Sequence, residues 1–269
     1  MNTMSINNRF KSAIKKGQQQ FGIWNGIPHS YAAEICAGAG FDFVVVDAEH
    51  APFSIDQIVI QLQAMSRYAE CSPIVRIPND DPVLIKRLLD AGVQNFIVPM
   101  LESADQVKHM HQALRYPPEG IRGVGTALAR AAQWNRVNDY FKLANNEVCL
   151  IAQIESVKGI EALDDILNQE AGEIIFLGPA DLAGSMGYLG QPGHPEVVSA
   201  VKTAIEKIVA SDKAAGILTS DPALIEEYSQ MGVQMIGVGL DTILLAKATQ
   251  KLAENYKPGL KERQSNTKY

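Results

Sequence analysis

The chain has 269 residues, 46% of them hydrophobic, and a formal net charge of -6. It can bury a full core, as one large domain or two small ones. The acidic balance without a lysine or arginine cluster argues against nucleic acid as a partner, and no apolar run reaches membrane-spanning length. Cys36, Cys71 and Cys149 are scattered without CxxC spacing, which reads as reduced core thiols in a cytoplasmic protein.

The opening MNTMSINNRFKSAIKKG lacks the apolar stretch of a signal peptide and reads as a short surface helix. From there strand and helix patterns alternate eight times. Strands are expected over 21–24, 43–46, 73–77, 95–98, 148–154, 173–177, 215–218 and 234–238. Helices over 31–39, 55–68, 82–91, 104–115, 157–168, 195–210, 222–231 and 242–255 follow them in turn, Pro82 suiting a first helical turn. Eight β/α units predict an α/β fold, a single (β/α)8 TIM barrel over 1–255, with the polar residues 256–269 as a loose tail. An open doubly wound sheet usually carries a glycine fingerprint after its first strand, and FGIWNGIPHS has none.

One connection is too long to be filler: residues 116–136, YPPEGIRGVGTALARAAQWNR. Its Arg122, Arg130 and Arg136, with glycines at 120, 123 and 125, fit an active-site lid or an oligomer contact. A phosphate cradle at GVG is the weaker reading, since no P-loop lysine follows.

The stretch FDFVVVDAEHAP, residues 41–52, organises the rest. Its apolar run suits a strand buried on both faces, and it stops at Asp47, Glu49 and His50. Barrel enzymes keep their chemistry at such carboxyl ends. The alternative is that Asp47 caps the next helix and His50 is a surface loop residue. Other strand ends supply Arg76, then Gln153 with Glu155, then Gly178-Pro179-Ala180-Asp181. Glu155 and Asp181, on neighbouring strand ends, can hold a divalent cation with hard oxygen ligands, or else serve as helix caps or as ion-pair partners of Arg76. Gly178 lets the backbone approach a ligand closely. Arg76 can face a carboxylate or an oxyanion. Asp90, in RLLDAG, is a candidate to orient His50, against a default capping role. No apolar strand ends in a lysine, so a chelated 2-oxo acid fits better than a Schiff base.

The motifs VVDAEHAP, VRIPNDDP, LLDAG, YPPEGIRGVGTALARA, QIES, FLGPADLAGSMGY and VGLDT, in this order, closely resemble the HpcH/HpaI class II pyruvate aldolases from about residue 10 to about residue 255. The resemblance implies cleavage of a 4-hydroxy-2-oxo acid to pyruvate and an aldehyde, with 4-hydroxy-2-oxoheptanedioate the expected substrate and a 2-keto-3-deoxy sugar acid (glucarate or rhamnonate type) the alternative. It implies Glu155 and Asp181 as ligands of Mg2+, Mn2+ or Co2+. It makes His50 part of the general base, oriented by Asp90, and sets Arg76 on the pyruvate enolate. It places Gln153 and Ala180 against pyruvate, and Asp47 joins the substrate-binding set with Arg76 and Asp181. A homohexamer, a trimer of dimers with the last helix exchanged between subunits, is implied as well. Two departures stand out: Ala48 replaces the family's usual glycine, and His29 stands where many relatives carry a small residue. His29 reads either as a change to the aldehyde pocket or as a solvated loop residue. A CoA-ester lyase relative and a non-catalytic carboxylate-binding barrel are the other readings; the first would need a basic cluster for the CoA tail.

Overall fold

The computed structural model describes residues 6–257. Eight parallel strands close into a barrel: β1 (Gln20–Asn25), β2 (Phe43–Asp47), β3 (Ser72–Arg76), β4 (Asn95–Val98), β5 (Cys149–Ile154), β6 (Ile174–Leu177), β7 (Ala214–Leu218) and β8 (Met235–Leu240). Each pairs with the next, and β8 pairs with β1. The helices are α1 (Arg9–Lys15), α2 (Ser30–Ala37), α3 (Ile55–Met65), α4 (Pro82–Ala91), α5 (Ala104–Ala113), α6 (Tyr140–Ala144), α7 (Val157–Glu161), α8 (Leu163–Leu167), α9 (Pro179–Ser185), α10 (Pro195–Val209), α11 (Pro222–Gln230) and α12 (Asp241–Tyr256). Among the described residues no helix is long and apolar enough to cross a membrane.

The strands alternate between two cores. Phe43 and Val45 of β2 face the barrel interior with Ile74, Ile97, Ile151 and Phe176, while Val44 and Val46 pack outward under the helices. Successive strand residues point to opposite faces, so this parity carries forward. Asp47 follows Val45, Arg76 follows Ile74, and Gln153 and Glu155 follow Ile151. The inward series on three strands thus ends in polar groups at one rim. The interior is filled by alternating large and small residues. A Cβ on Gly22 would lie 2.2 Å from the Phe43 ring, and one on Gly237 2.6 Å from Trp24.

Three expectations need correction. The first helix is no surface element: Phe10 and Ile14 of α1 are buried in the interior core, and Phe10 meets Phe43 edge to face at 5.6 Å. Its apolar side closes the barrel at the N-terminal ends of the strands. The helix expected over 157–168 is two five-residue helices, α7 and α8, meeting at Ala162. The last helix reaches Tyr256, which leaves only Lys257 of the expected tail within the described residues. The short α6 and α9 offer too few turns for a periodic apolar pattern to reveal them.

Candidate active site

Asp47 and Arg76 are register partners on β2 and β3. Arg76 Nε donates to Asp47 Oδ1 at 2.9 Å and Nη2 donates to Oδ2 at 2.5 Å. This fork-to-carboxylate pairing fixes the plane of the guanidinium. Asp47 Oδ1 also accepts the backbone N–H groups of Glu49 at 3.2 Å and His50 at 3.3 Å. One carboxylate therefore closes the turn after β2 and holds the arginine. It caps no helix; Ser54 caps α3 through a capping box with Gln57. Nη1 of Arg76 lies 3.1 Å from Glu49 Oε2. Burial opposes the charge on Arg76, but the hydrogen bonds to Asp47 and the charges of Asp47, Glu49 and Glu155 hold its pKa above the ordinary value.

Glu155, just beyond β5, is buried. Its Oε1 accepts the Met100 N–H at 2.9 Å, and its Oε2 accepts from Gln153 Nε2. Met100 donates from the left-handed region, φ 54°, a conformation that needs support from its surroundings. Burial pushes the Glu155 carboxyl above its usual range; the Gln153 and Met100 hydrogen bonds oppose this, and the charges of Asp181 and Glu49 add to it. A Cβ on Gly178 would lie 2.5 Å from Glu155 Oε2. The close approach expected of Gly178 is thus made to Glu155 itself. Ala180 and Asp181 are exposed on the first turn of α9, next to β6.

His50 is open to solvent, its side chain 63% exposed, with Nε2 3.9 Å from Glu49 Oε2. Asp90 is elsewhere. It closes α4, and barrel helices run back against their strands, so it lies at the N-terminal end of the barrel. There its Oδ1 accepts from Arg122 Nη2 at 2.8 Å, and no contact with His50 exists within the chain among the described residues. Chain direction corrects the lid reading too. The 116–136 connection follows α5 and leads to the start of β5, and it packs on α4 through Arg122 on Asp90 and Arg130 on the Ala91 carbonyl. A lid over this chain's own rim is ruled out. His29 is exposed and caps α2, its Nδ1 accepting from Tyr31 N–H at 3.2 Å.

Three participants were not assigned from sequence. Glu49 stood in the key motif without a role; its pairing with Arg76 depends on the turn that Asp47 closes. The Met100 N–H has no side-chain signature. Asp241 of VGLDT accepts from Gly26 N–H at 2.8 Å and Ile27 N–H at 3.1 Å, tying the β1–α2 loop to the start of α12.

The donor set suits a divalent cation. Asp47, Glu49 and Glu155 act on a single guanidinium, Asp181 acts on Glu49 and Glu155, and this crowding adds to burial in disfavouring the charge on Glu155. The Gln153 Oε1 is buried without a hydrogen-bond partner. Among the described residues no three His, Cys, Asp or Glu side chains form a closed cage. Two hard oxygen ligands, from Glu155 and Asp181, would leave the other positions to water and substrate.

A closed parallel barrel with this rim defines a (β/α)8 enzyme with an anionic, cation-attracting site. The family model described as HpcH/HpaI aldolase/citrate lyase matches residues 20–248, and the chain belongs to that family. It is 47% identical over 251 residues to the 4-hydroxy-2-oxo-heptane-1,7-dioate aldolase of Escherichia coli, covering 93% of this chain and 95% of the relative. It is 48% identical over 257 residues to the hydroxypyruvate/pyruvate aldolase of Deinococcus radiodurans, covering 96% and 92%. A crystal structure of an HpcH/HpaI aldolase/citrate lyase family protein from Burkholderia cenocepacia superposes with a TM-score of 0.89 at 33% identity, covering 93% of this chain and 99% of that one. Such aldolases are lyases and are in general dependent on a divalent metal.

Proposed function

We propose that the chain is a cytoplasmic class II pyruvate aldolase that reversibly cleaves 4-hydroxy-2-oxoheptanedioate to pyruvate and an aldehyde. The observation that carries this reading is the rim itself: Glu155, Asp181 and the clamped Arg76 at the same end of one barrel, in a chain 47% identical to an aldolase of that name. Mg2+, Mn2+ or Co2+ held by Glu155 and Asp181 would bind the oxygens of a 2-oxo acid and lower the cost of negative charge on its enolate. Gln153, Asp47 and the Ala180 backbone line the pyruvate moiety, and Arg76 faces the oxygen on which charge grows. His50, through water, takes the proton of the 4-hydroxyl. The C3–C4 bond then breaks, its electron pair forming the enolate as the aldehyde leaves, and His50 returns a proton to C3. The Deinococcus relative supports hydroxypyruvate as a second donor.

The assembly we infer is a homohexamer, a trimer of dimers in which α12 seats on a neighbour. Leu244, Leu245 and Leu252 of α12 are each more than half exposed, an apolar face without a partner among the described residues. The test of the activity is exchange of pyruvate methyl protons with solvent, with and without added metal. Metal-dependent exchange, followed by cleavage of 4-hydroxy-2-oxoheptanedioate, is expected; exchange that survives chelation would overturn the reading.

A further inference from the structure

Met100 leaves β4 in the left-handed region, and from there its N–H reaches Glu155 Oε1 at 2.9 Å. A residue other than glycine keeps such a backbone where its neighbours fix the chain on both sides. Before Met100, β4 is paired with β5 up to Val98 and Ala152. After it, the Leu101 N–H donates to the Gln153 carbonyl at 3.1 Å.

Glu102 then ties the loop after β4 to the loop after β5. Its Oε1 accepts from Ser156 Oγ at 2.7 Å, and its Oε2 accepts from Lys158 Nζ at 3.0 Å. Ser156 is buried, whereas the Lys158 side chain is 73% exposed. Water screens the lysine, so the sheltered serine bond is the stronger tie. Ser156 Oγ in turn accepts the Gly159 N–H at 3.1 Å in the first turn of α7. That turn lies directly on the β4 exit: a Cβ on Gly159 would be 3.1 Å from the Leu101 carbonyl oxygen. The Glu102 N–H is itself held by Gln106 Oε1 at 2.9 Å.

Three rungs therefore join the same two strand exits: Leu101 to Gln153, Met100 to Glu155, and Glu102 to Ser156. The Met100 donor stands two residues before Glu102, and the Glu155 acceptor stands one residue before Ser156. We propose that Glu102 is a positioning residue for the cation site: by gripping Ser156 it keeps the Met100 N–H on Glu155 Oε1. The Glu155 carboxylate is thus oriented before any cation arrives. The inference rests on the aldolase reading above for the role of Glu155. A ligand set in advance loses less freedom on binding, and the hydrogen bonds that orient metal ligands are typically worth about 10–100-fold in affinity.

The test is calorimetric titration of Mn2+, without substrate, into wild type, Glu102→Ala, Glu102→Gln, Ser156→Ala and the double alanine variant. Wild-type binding tests the aldolase reading by itself; the variants test Glu102. Glu102→Ala is expected to bind Mn2+ about 10–100-fold more weakly. Glu102→Gln keeps an acceptor for Ser156 and loses only an exposed ion pair, so it should stay within about fivefold of wild type. Ser156→Ala breaks the same bond from the other side. The double variant should bind no more weakly than the weaker single one, because both act on one contact. Unchanged affinity in Glu102→Ala, an equal loss in Glu102→Gln, or losses that multiply in the double variant would overturn the proposal. Crystal structures of metal-free wild type and Glu102→Ala decide the contact without any cation. A Met100 N–H released from Glu155 in the variant supports the role; the same bond in both structures overturns it.

Discussion

Arg76 and His50 stand on adjacent strand ends but are held very differently. The guanidinium is clamped by Asp47, its side chain 11% exposed, whereas the imidazole is open. A clamped cation facing developing charge contributes mainly to the transition state. Arg76→Ala should therefore lose about 10²–10³-fold in kcat as well as raising KM, and Arg76→Lys should recover only part, because a point charge replaces a planar fork. Decarboxylation of oxaloacetate forms the same enolate without deprotonating a hydroxyl. It should suffer more in Arg76→Ala than in His50→Ala, and equal losses would remove His50 from proton transfer. Gly178 carries a prediction of another kind. Its φ is ordinary, but an added methyl would sit 2.5 Å from Glu155 Oε2. Gly178→Ala should displace that carboxylate and weaken metal binding by at least about tenfold in a titration, while the fold melts near the wild-type temperature.

Among the elements, α1 gives the clearest case of a short helix doing the work of a stopper. Seven residues form a marginal helix alone, and burial of Phe10 and Ile14 at roughly 1.5–3 kcal/mol each supplies what propensity does not. A buried ion cluster pins it. Lys11 Nζ donates to Glu173 Oε1 at 2.8 Å and to the Val148 carbonyl at 2.6 Å, and Arg115 Nη2 reaches the same Oε1 at 2.9 Å. Burial alone would raise the Glu173 pKa, but Lys11 and then Arg115 outweigh it and hold it below the ordinary 4.5. A depressed carboxylate contributes stability above its unfolded pKa, and that contribution fades as pH falls through the folded value. Glu173→Gln should then cost about 3 kcal/mol in urea unfolding at neutral pH, by leaving two buried cations without their counter-charge. The gap to wild type should close in acid; a gap independent of pH would show that packing, not charge, is at stake.

At the scale of the whole molecule, α12 stands apart from the other helices. Its first turn is tied down by Asp241, yet nearly every residue beyond it is exposed. Truncation after Thr242 keeps that tie and removes the leucines. If the proposed hexamer forms through this helix, sedimentation should then show smaller species than for the full chain; an unchanged assembly would discard the exchanged helix. Metal should act on the folded chain as a whole. Cation at a hundredfold excess over its Kd adds about 2.7 kcal/mol to unfolding free energy, so chelation should lower the melting temperature unless the unfolded chain binds equally well.

The barrel was legible in the amino-acid sequence because strands buried on both faces read as short apolar runs, and eight such runs separated by helical patterns leave little choice of closure. Parity along those runs also placed Asp47, Arg76, Gln153 and Glu155 on one rim, since the side-chain period of a strand is two. Tertiary structure alone decided the rest. Whether Asp47 would cap a helix or grip Arg76 depended on the register between β2 and β3. Asp90 lies five residues before β4 starts, but its helix runs against the strands and carries it to Arg122 at the far end of the barrel. Glu49 gained its partners from a turn closed by another residue's carboxylate, and Met100 from a backbone N–H, which no side-chain pattern encodes. Local periodicity fixes which face a residue takes; the direction of packed elements and the register of paired strands fix whom it meets there.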